Sequence, residues 1–204
     1  MKSRKILLTL SLVSALVVAG LVVASNMAFK HVPDFSVINS DYWVSVPYRN
    51  HYSLAQDVCD DVGPTTTLVS RFDTPTGVRQ DWTCPFGNNF PVTSGEGLFL
   101  RVSAPTSPVI SGSHDPDLAI PIGGFTVENR DWFLSIPYHS TLAIANDICK
   151  EIYPTPTLVS RFDTEHGIRQ DWTCPFGNDF AIRAGEGVAV RVGTATPAFV
   201  PPHY

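Results

Sequence analysis

Apolar and polar residues alternate in several short stretches of the chain, and this alternation is the pattern of half-buried β-strands. The first stretch contains Val44, Val46 and Tyr48 on one face and runs into Pro47. Three more strands are predicted, between turns rich in Gly, Pro, Ser and Asn, at residues 68–72, 78–84 and 98–102. The pattern therefore predicts a mainly β protein.

One stretch between the first two strands has helical periodicity instead. Its apolar residues have the spacing of one helix face: Leu54, Val58, Cys59 and Val62. The helix is expected to end before Pro64, and Ser53 followed three residues later by Gln56 resembles an N-terminal capping box.

The same order of elements occurs twice, because the chain contains a tandem repeat with an offset of 90 residues. Two blocks are identical without insertion, residues 67–74 with 157–164 and residues 79–88 with 169–178. The duplication predicts two homologous domains, 25–112 and 113–204, joined by a linker at 111–117. Each domain is predicted to be α+β and mainly β, with five to six antiparallel strands, one helix and one disulfide.

The four cysteines fit disulfide bonds better than zinc ligation, because two lie in each repeat and none has a Cys-x-x-Cys spacing. Each repeat contains one cysteine on the helix and one on a strand. Bonds within each repeat are therefore expected, Cys59 with Cys84 and Cys149 with Cys174, although pairing between repeats is also possible in principle.

Residues 1–24 have the pattern of a secretory signal, since Lys2, Arg4 and Lys5 precede an uncharged run. Cleavage after Ala24 predicts a periplasmic, extracellular or cell-surface protein beginning at Ser25. The uncharged run is long, so an uncleaved signal anchor is the alternative, and it would be the chain's only membrane contact.

The charge balance argues against a nucleic-acid partner. Three of the 14 basic residues lie in the signal, so 11 basic and 19 acidic side chains remain from Ser25 onward. A negative chain lacks the basic surface that phosphate contacts require.

Aromatic residues are the first candidates for binding. Strand alternation places Trp82 on the same face as Cys84, so Trp82 and its counterpart Trp172 are predicted to be core residues. A second set is predicted to be surface aromatics, because the apolar face of its strand is the Val44 side: Tyr42, Trp43, Trp132 and Phe133. Their alternative role is packing over a sheet edge.

Catalytic and metal chemistry are not predicted. Three carboxylates recur in both repeats and are interpreted as structural: Asp73 with Asp163, Asp81 with Asp171, and Glu96 with Glu186. No nucleophile and base occur in both repeats, and none of the six histidines matches another across the offset. No cofactor is therefore expected, and a hydrolase is only a third hypothesis for function.

Several segments of the chain resemble those of a class of exported bacterial tandem-repeat proteins. They are Ser25-Asn-Met-Ala-Phe-Lys30, the Ser-Val-Pro-Tyr and Ser-Ile-Pro-Tyr strands, the Val-Ser-Arg-Phe-Asp segments, the two Gly-Glu-Gly hairpins and Gly112-Ser-His-Asp-Pro116. The resemblance implies a periplasmic or extracellular β-rich protein, and it supplies no activity and no catalytic residues.

The leading hypothesis is a non-catalytic structural or cell-surface protein that associates with itself or with other surface components, in its sharpest form as a filament. An N-terminal strand would add to a neighbouring copy through Met27, Phe29, Val32 and Phe35, unless it pairs within its own chain. The alternative is a carbohydrate- or ligand-binding module with two tandem sites.

Overall fold

The computed structural model describes residues 29–31, 34–73, 75–112, 125–137, 140–152, 154–183, 185–197 and 200–202. The predicted signal at 1–24, the predicted assembly residues Met27 and Val32, and most of the predicted linker lie outside these ranges. Within the described residues, no helix is long and apolar enough to cross a membrane.

The first repeat forms a five-stranded antiparallel sheet, a separate two-stranded ribbon and one helix. Its elements are β1 (Phe29–His31), β2 (Tyr42–Ser45), α1 (Ala55–Val62), β3 (Thr66–Asp73), β4 (Val78–Thr83), β5 (Phe86–Gly87), β6 (Gly97–Val102) and β7 (Val109–Ser111). The strand order of the sheet is β2-β6-β3-β4-β5, and the ribbon pairs β1 with β7.

The second repeat has the same topology in the residues that the structure describes. Its elements are β8 (Asp131–Ser135), α2 (Ala145–Glu151), β9 (Pro156–Asp163), β10 (Ile168–Thr173) and β11 (Gly187–Val192). The order β10-β9-β11-β8 corresponds to β4-β3-β6-β2. The predicted fold class, mainly β with one helix in each half, is confirmed.

The helices begin differently from the sequence prediction. Leu54 is the N-cap residue of α1 and is 40% exposed, so it does not lie on the buried face. The Asp57 carboxylate accepts the N–H groups of Ser53 and Leu54, at 2.7 and 2.9 Å. The predicted capping pair of Ser53 and Gln56 is therefore wrong. The capping side chain is Asp57, the third residue of the helix, and it accepts backbone N–H groups that precede the helix.

Each helix packs on its sheet and is fixed there by a disulfide. Cys59 is bonded to Cys84, and Cys149 to Cys174, so the predicted pairing within each repeat is confirmed. Trp82 and Trp172 are 8% and 6% exposed and lie in the two cores, as predicted.

The two repeats meet in a nearly two-fold symmetric interface. The Ser45 N–H donates to Gly185 O at 3.0 Å, and its counterpart, the Ser135 N–H, donates to Gly95 O at 2.9 Å. The hydroxyls of Ser45 and Ser135 contact each other, and these residues occupy the same position in the two repeats. A residue that meets its own counterpart must lie on the symmetry axis, so this interface resembles that of a symmetric dimer.

The N-terminal segment pairs within its own chain. Phe29 lies opposite Ser111 in the β1–β7 ribbon, and Phe35 is fully buried and bridges to Thr106. In the structure, the described part of this segment is therefore paired with β7 of its own chain and is not a free strand.

Candidate functional site

The four aromatics predicted at the surface are largely enclosed. Tyr42 and Trp132 lie in the cores of their own repeats, because strand alternation places them on the same faces as Val44 and Leu134. The surface prediction is therefore wrong for both.

Trp43 is on the opposite strand face, and there the second repeat covers it. It is 8% exposed and packs edge-on against Phe133, its counterpart, with ring centroids 5.1 Å apart. The prediction of a surface platform is wrong for Trp43 as well, and Phe133 is partly buried by the same contact.

The exposed aromatics instead directly follow a tight turn, at positions that the hydrophobic pattern does not single out. Phe86 and Phe176 are 74% and 76% exposed. Each follows the strand cysteine and a proline in the sequence Cys-Pro-Phe-Gly-Asn, where the glycine has a positive φ of 122° or 132°. Glycine adopts this conformation readily, and the disulfide ties the start of the turn to the helix. A rigid frame therefore presents each phenylalanine ring to solvent.

A polar groove lies beside this turn in the second repeat and has a volume of about 500 Å³. It is lined by Arg161, Gln170, Asp171, Asn178, Asp179, Phe180 and Ala181. Asn178 lines the groove and lies two residues after Phe176, whose own ring is not part of the lining. The side chains at five of the seven positions are identical in the first repeat, namely Arg71, Gln80, Asp81, Asn88 and Phe90.

An arginine holds the floor of the groove in place. Arg161 donates from Nε to Gln170 Oε1 at 2.8 Å and from Nη1 to the Ala181 carbonyl at 3.1 Å, and its guanidinium lies over the Phe180 ring. Arg161 is 6% exposed, and it is paired with the buried Glu186 at 3.3 Å. The arginine is therefore a structural anchor, and it fixes the glutamine amide at the groove surface.

The first repeat builds the same network. Arg71 donates to Gln80 Oε1 at 2.7 Å and to the Pro91 carbonyl at 3.0 Å, and it lies over the Phe90 ring. Because the same contacts form in both repeats, the network is a feature of the repeat fold and does not depend on local packing in one repeat.

The exposed polar atoms of the groove are amides and carboxylates. Within the described part of the chain, the side-chain amides of Asn88 and Asn178 form no hydrogen bond, so both can bind a ligand. Partial burial acts to raise the pKa of Asp171, but hydrogen bonds from Ser160 and Arg169 outweigh it and leave the pKa below its usual value. Asp171 is therefore an ionised acceptor at neutral pH.

The other repeated carboxylates have structural partners. Glu96 accepts the Thr93 N–H within its hairpin, and Glu186 accepts the Arg183 N–H in the same way. Burial raises the pKa of both glutamates. Asp163 closes a turn by accepting the backbone N–H groups of the second and third residues after it.

Asp163, Glu165 and His166 form a cluster that has the right atoms for a cation, within 4.8 Å of one another. The cluster is explained by its own hydrogen bonds, since Asp163 Oδ2 lies 2.9 Å from His166 Nδ1 and also accepts from Gln170. Pro75 and Thr76 occupy the corresponding positions in the first repeat, so the cluster is not duplicated.

One sequence signal indicated the groove. The block 79–88 is identical to 169–178 over ten residues, although about half of the other aligned positions differ. Core packing does not explain why the exposed residues of this block are identical in the two repeats. The identity therefore points to a shared role, but the sequence alone does not show how these residues are arranged in space.

Comparison of the chain with protein-family models, with curated proteins and with solved structures finds no match. Its function is therefore inferred from the geometry of the turns and grooves.

Proposed function

We propose that this chain is an exported, non-catalytic surface protein that binds carbohydrate at two equivalent sites, one in each repeat. The observation that carries the proposal is that both repeats have an exposed phenylalanine two residues before an asparagine of the same amide and carboxylate set, which lines a groove in the second repeat. Each site consists of the exposed phenylalanine, Phe86 or Phe176, with the amide and carboxylate side chains that follow it.

The chemistry of such a site suits a sugar. A phenylalanine ring offers a flat apolar face that can cover the C–H face of a pyranose ring. Asparagine and glutamine amides supply both donors and acceptors, and Asp81 or Asp171 supplies acceptors, for hydroxyl groups around the same ring. Because Arg71 or Arg161 already orients the glutamine, the groove is preformed before the ligand binds.

Two sites on one chain favour a polymeric ligand. When one site is occupied, the second binds the same polymer at a raised effective concentration, so the avidity exceeds the affinity of either site alone. A repeating glycan at a cell surface provides this kind of ligand.

Two disulfides support export, because such bonds persist in oxidising compartments. The signal pattern at residues 1–24 agrees with this inference. Self-assembly through the N-terminal segment is not part of the proposal, because β1 is already paired with β7 in the same chain.

The test is binding to a glycan array and to the intact cell surface with four proteins: the natural chain, Phe86→Ala, Phe176→Ala and the double variant. Each single variant should lose part of the avidity, and the double variant should lose nearly all of it. Asn88→Ala and Asn178→Ala should reduce binding without removing the apolar contact.

Val78 and Ile168 supply the matched control. They occupy corresponding positions in the two repeats, are 53% and 54% exposed, and do not line the groove. Val78→Ala with Ile168→Ala should leave glycan binding unchanged. The proposal fails if the Phe86 and Phe176 double variant binds the array and the cell surface as well as the natural chain does.

A further inference from the structure

A second cavity, of about 410 Å³, opens between the two repeats and is separate from the grooves. We call this cavity the cleft. It is lined by Phe72, Arg79, Phe99, Arg130, Asp131, Phe133 and Arg191.

The floor of the cleft is aromatic. Phe99 and Phe133 lie with ring centroids 4.4 Å apart, and Phe72 lies 6.0 Å from Phe133. These three rings come from both repeats, so the apolar surface exists only where the repeats meet. It is suited to the flat body of an organic ligand.

Two of the three arginines at the rim are already paired. Arg79 bonds to Asp41 and to Asp81, the latter at 2.8 Å, and Arg191 bonds to Asp131 at 2.8 Å. These guanidinium groups add positive potential to the cleft, but their hydrogen bonds are largely used within the protein.

Arg130 is different, because its guanidinium forms no hydrogen bond or ion pair with any residue that the structure describes. It lies over the turn at Gly77, where a Cβ would come within 1.8 Å of Arg130 Nη1. Among the residues that the structure describes, no bonded carboxylate therefore balances the charge of Arg130 in the cleft.

Arg130 has no counterpart in the first repeat, so its presence does not follow from the duplication. At the corresponding positions on the other side of the interface, Ser40 replaces Arg130, Trp43 replaces Phe133 and Ala189 replaces Phe99. Arg130 is thus specific to one of two related surfaces, whereas the paired arginines occur in both.

We propose that the cleft binds a small organic anion with a flat, apolar ring body. The ring packs on the half-buried Phe72 and Phe133, with the buried Phe99 behind them, and the anionic group accepts hydrogen bonds from Arg130. A guanidinium binds a carboxylate or sulfonate with two parallel hydrogen bonds, which fixes the orientation of the ligand.

The test uses two fluorescent probes that differ chiefly in charge. 8-Anilinonaphthalene-1-sulfonate carries the anion, and N-phenyl-1-naphthylamine has the same rings without it. The natural chain should bind the sulfonate at one site, and Arg130→Ser should weaken this binding about tenfold while leaving the neutral probe unaffected. Phe133→Ala should weaken both probes.

Arg183→Ser is the charge-matched control, because Arg183 is exposed and does not line the cleft. It should leave both probes unaffected. The proposal is overturned if Arg130→Ser binds the sulfonate normally, or if Arg183→Ser weakens it as much as Arg130→Ser does.

Competition identifies the class of natural ligand. Benzoate and glucuronate both carry a carboxylate on a six-membered ring, one aromatic and one a sugar acid. Displacement of the sulfonate by benzoate assigns an aromatic acid, whereas displacement by glucuronate alone, or by neither acid, overturns the proposal. Glycan binding at Phe86 and Phe176 is measured separately, so either site can fail without the other.

Discussion

Asp57 and Asp147 decide where the two helices begin. Asp57 accepts the N–H groups of Ser53 and Leu54, and Asp147 accepts those of Ala143 and Ile144 at 3.1 and 3.2 Å. These amides have no partner within the helix, so the carboxylate stabilises the first turn. This arrangement explains why alanine can replace Ser53 in the second repeat.

The pH dependence of Asp57→Asn tests this role. Hydrogen bonds from the Ser53 and Leu54 amides hold the pKa of Asp57 below its usual value. A lowered pKa in the folded state means that the stabilisation is present above the unfolded pKa, about 3.9, and is lost as the pH falls through the folded value. Asp57→Asn should therefore lower the free energy of unfolding by about 0.5–1 kcal/mol at neutral pH, the low end for a cap because solvent screens this exposed carboxylate. The difference should shrink as the carboxylate is protonated in acid.

Asp60→Asn removes the same charge from α1 without removing bonds to backbone amides. It should leave the free energy of unfolding nearly unchanged in urea titrations. Equal losses in the two variants would show that net charge, and not capping, is responsible.

Single residues are predictable where local periodicity determines their environment. Trp82 shares a strand face with Cys84, and a disulfide to the helix requires that face to be inside. Trp43 is not predictable in this way, because its environment depends on contacts with Phe133, which lies 90 positions away. Alternation along one strand gives no information about a second sheet that covers the other face.

At the scale of elements, most strands and both helices follow from the periodicity, since the strands alternate and each helix has an apolar stripe. The two-residue strand β5 does not follow from the periodicity, because two residues cannot show a period. The sequence does not determine the pairing of β1 with β7, because a short terminal strand can pair equally well within a chain or between chains.

The disulfide of each repeat should contribute strongly to its stability. The bonded cysteines are separated by 25 residues, and closing a loop of this size stabilises by about 3.5 kcal/mol in the chain-entropy model. The double variant Cys59→Ala with Cys84→Ala should lower the unfolding free energy of the first repeat by about this amount in chemical denaturation.

The corresponding double variant at Cys149 and Cys174 provides the comparison, because its loop has the same length. It should destabilise the second repeat to a similar extent. A loss below about 1 kcal/mol in both variants would show that the bonds contribute far less than loop closure predicts.

At the scale of the whole molecule, the duplication is evident from the sequence but the placement of the repeats is not. The repeats meet through Ser45 and Ser135 because their surfaces are complementary to each other, and complementarity is a property of shape that no single periodicity encodes. The cleft follows from this placement, so the sequence alone does not identify Arg130 as a binding residue.

The interface between the repeats depends on two glycines that allow close approach of the backbones. A Cβ at Gly187 would lie 2.8 Å from Val44 O, and a Cβ at Gly97 would lie 3.0 Å from Leu134 N, in each case across the interface. Gly97→Ala with Gly187→Ala should therefore force the repeats apart and weaken their contact by about 1–3 kcal/mol. Small-angle scattering should show a larger radius of gyration, while the circular dichroism of the sheets stays unchanged.

Gly193→Ala is the control for this double variant, since its Cβ would meet only Thr157 and Thr155, which belong to the same repeat as Gly193. Any strain that it introduces stays within the second repeat, so the radius of gyration should equal that of the natural chain. Unchanged scattering in the double variant would contradict the close interface. It would also contradict the cleft, because the rings of Phe99 and Phe133 can form one floor only while the repeats remain in contact.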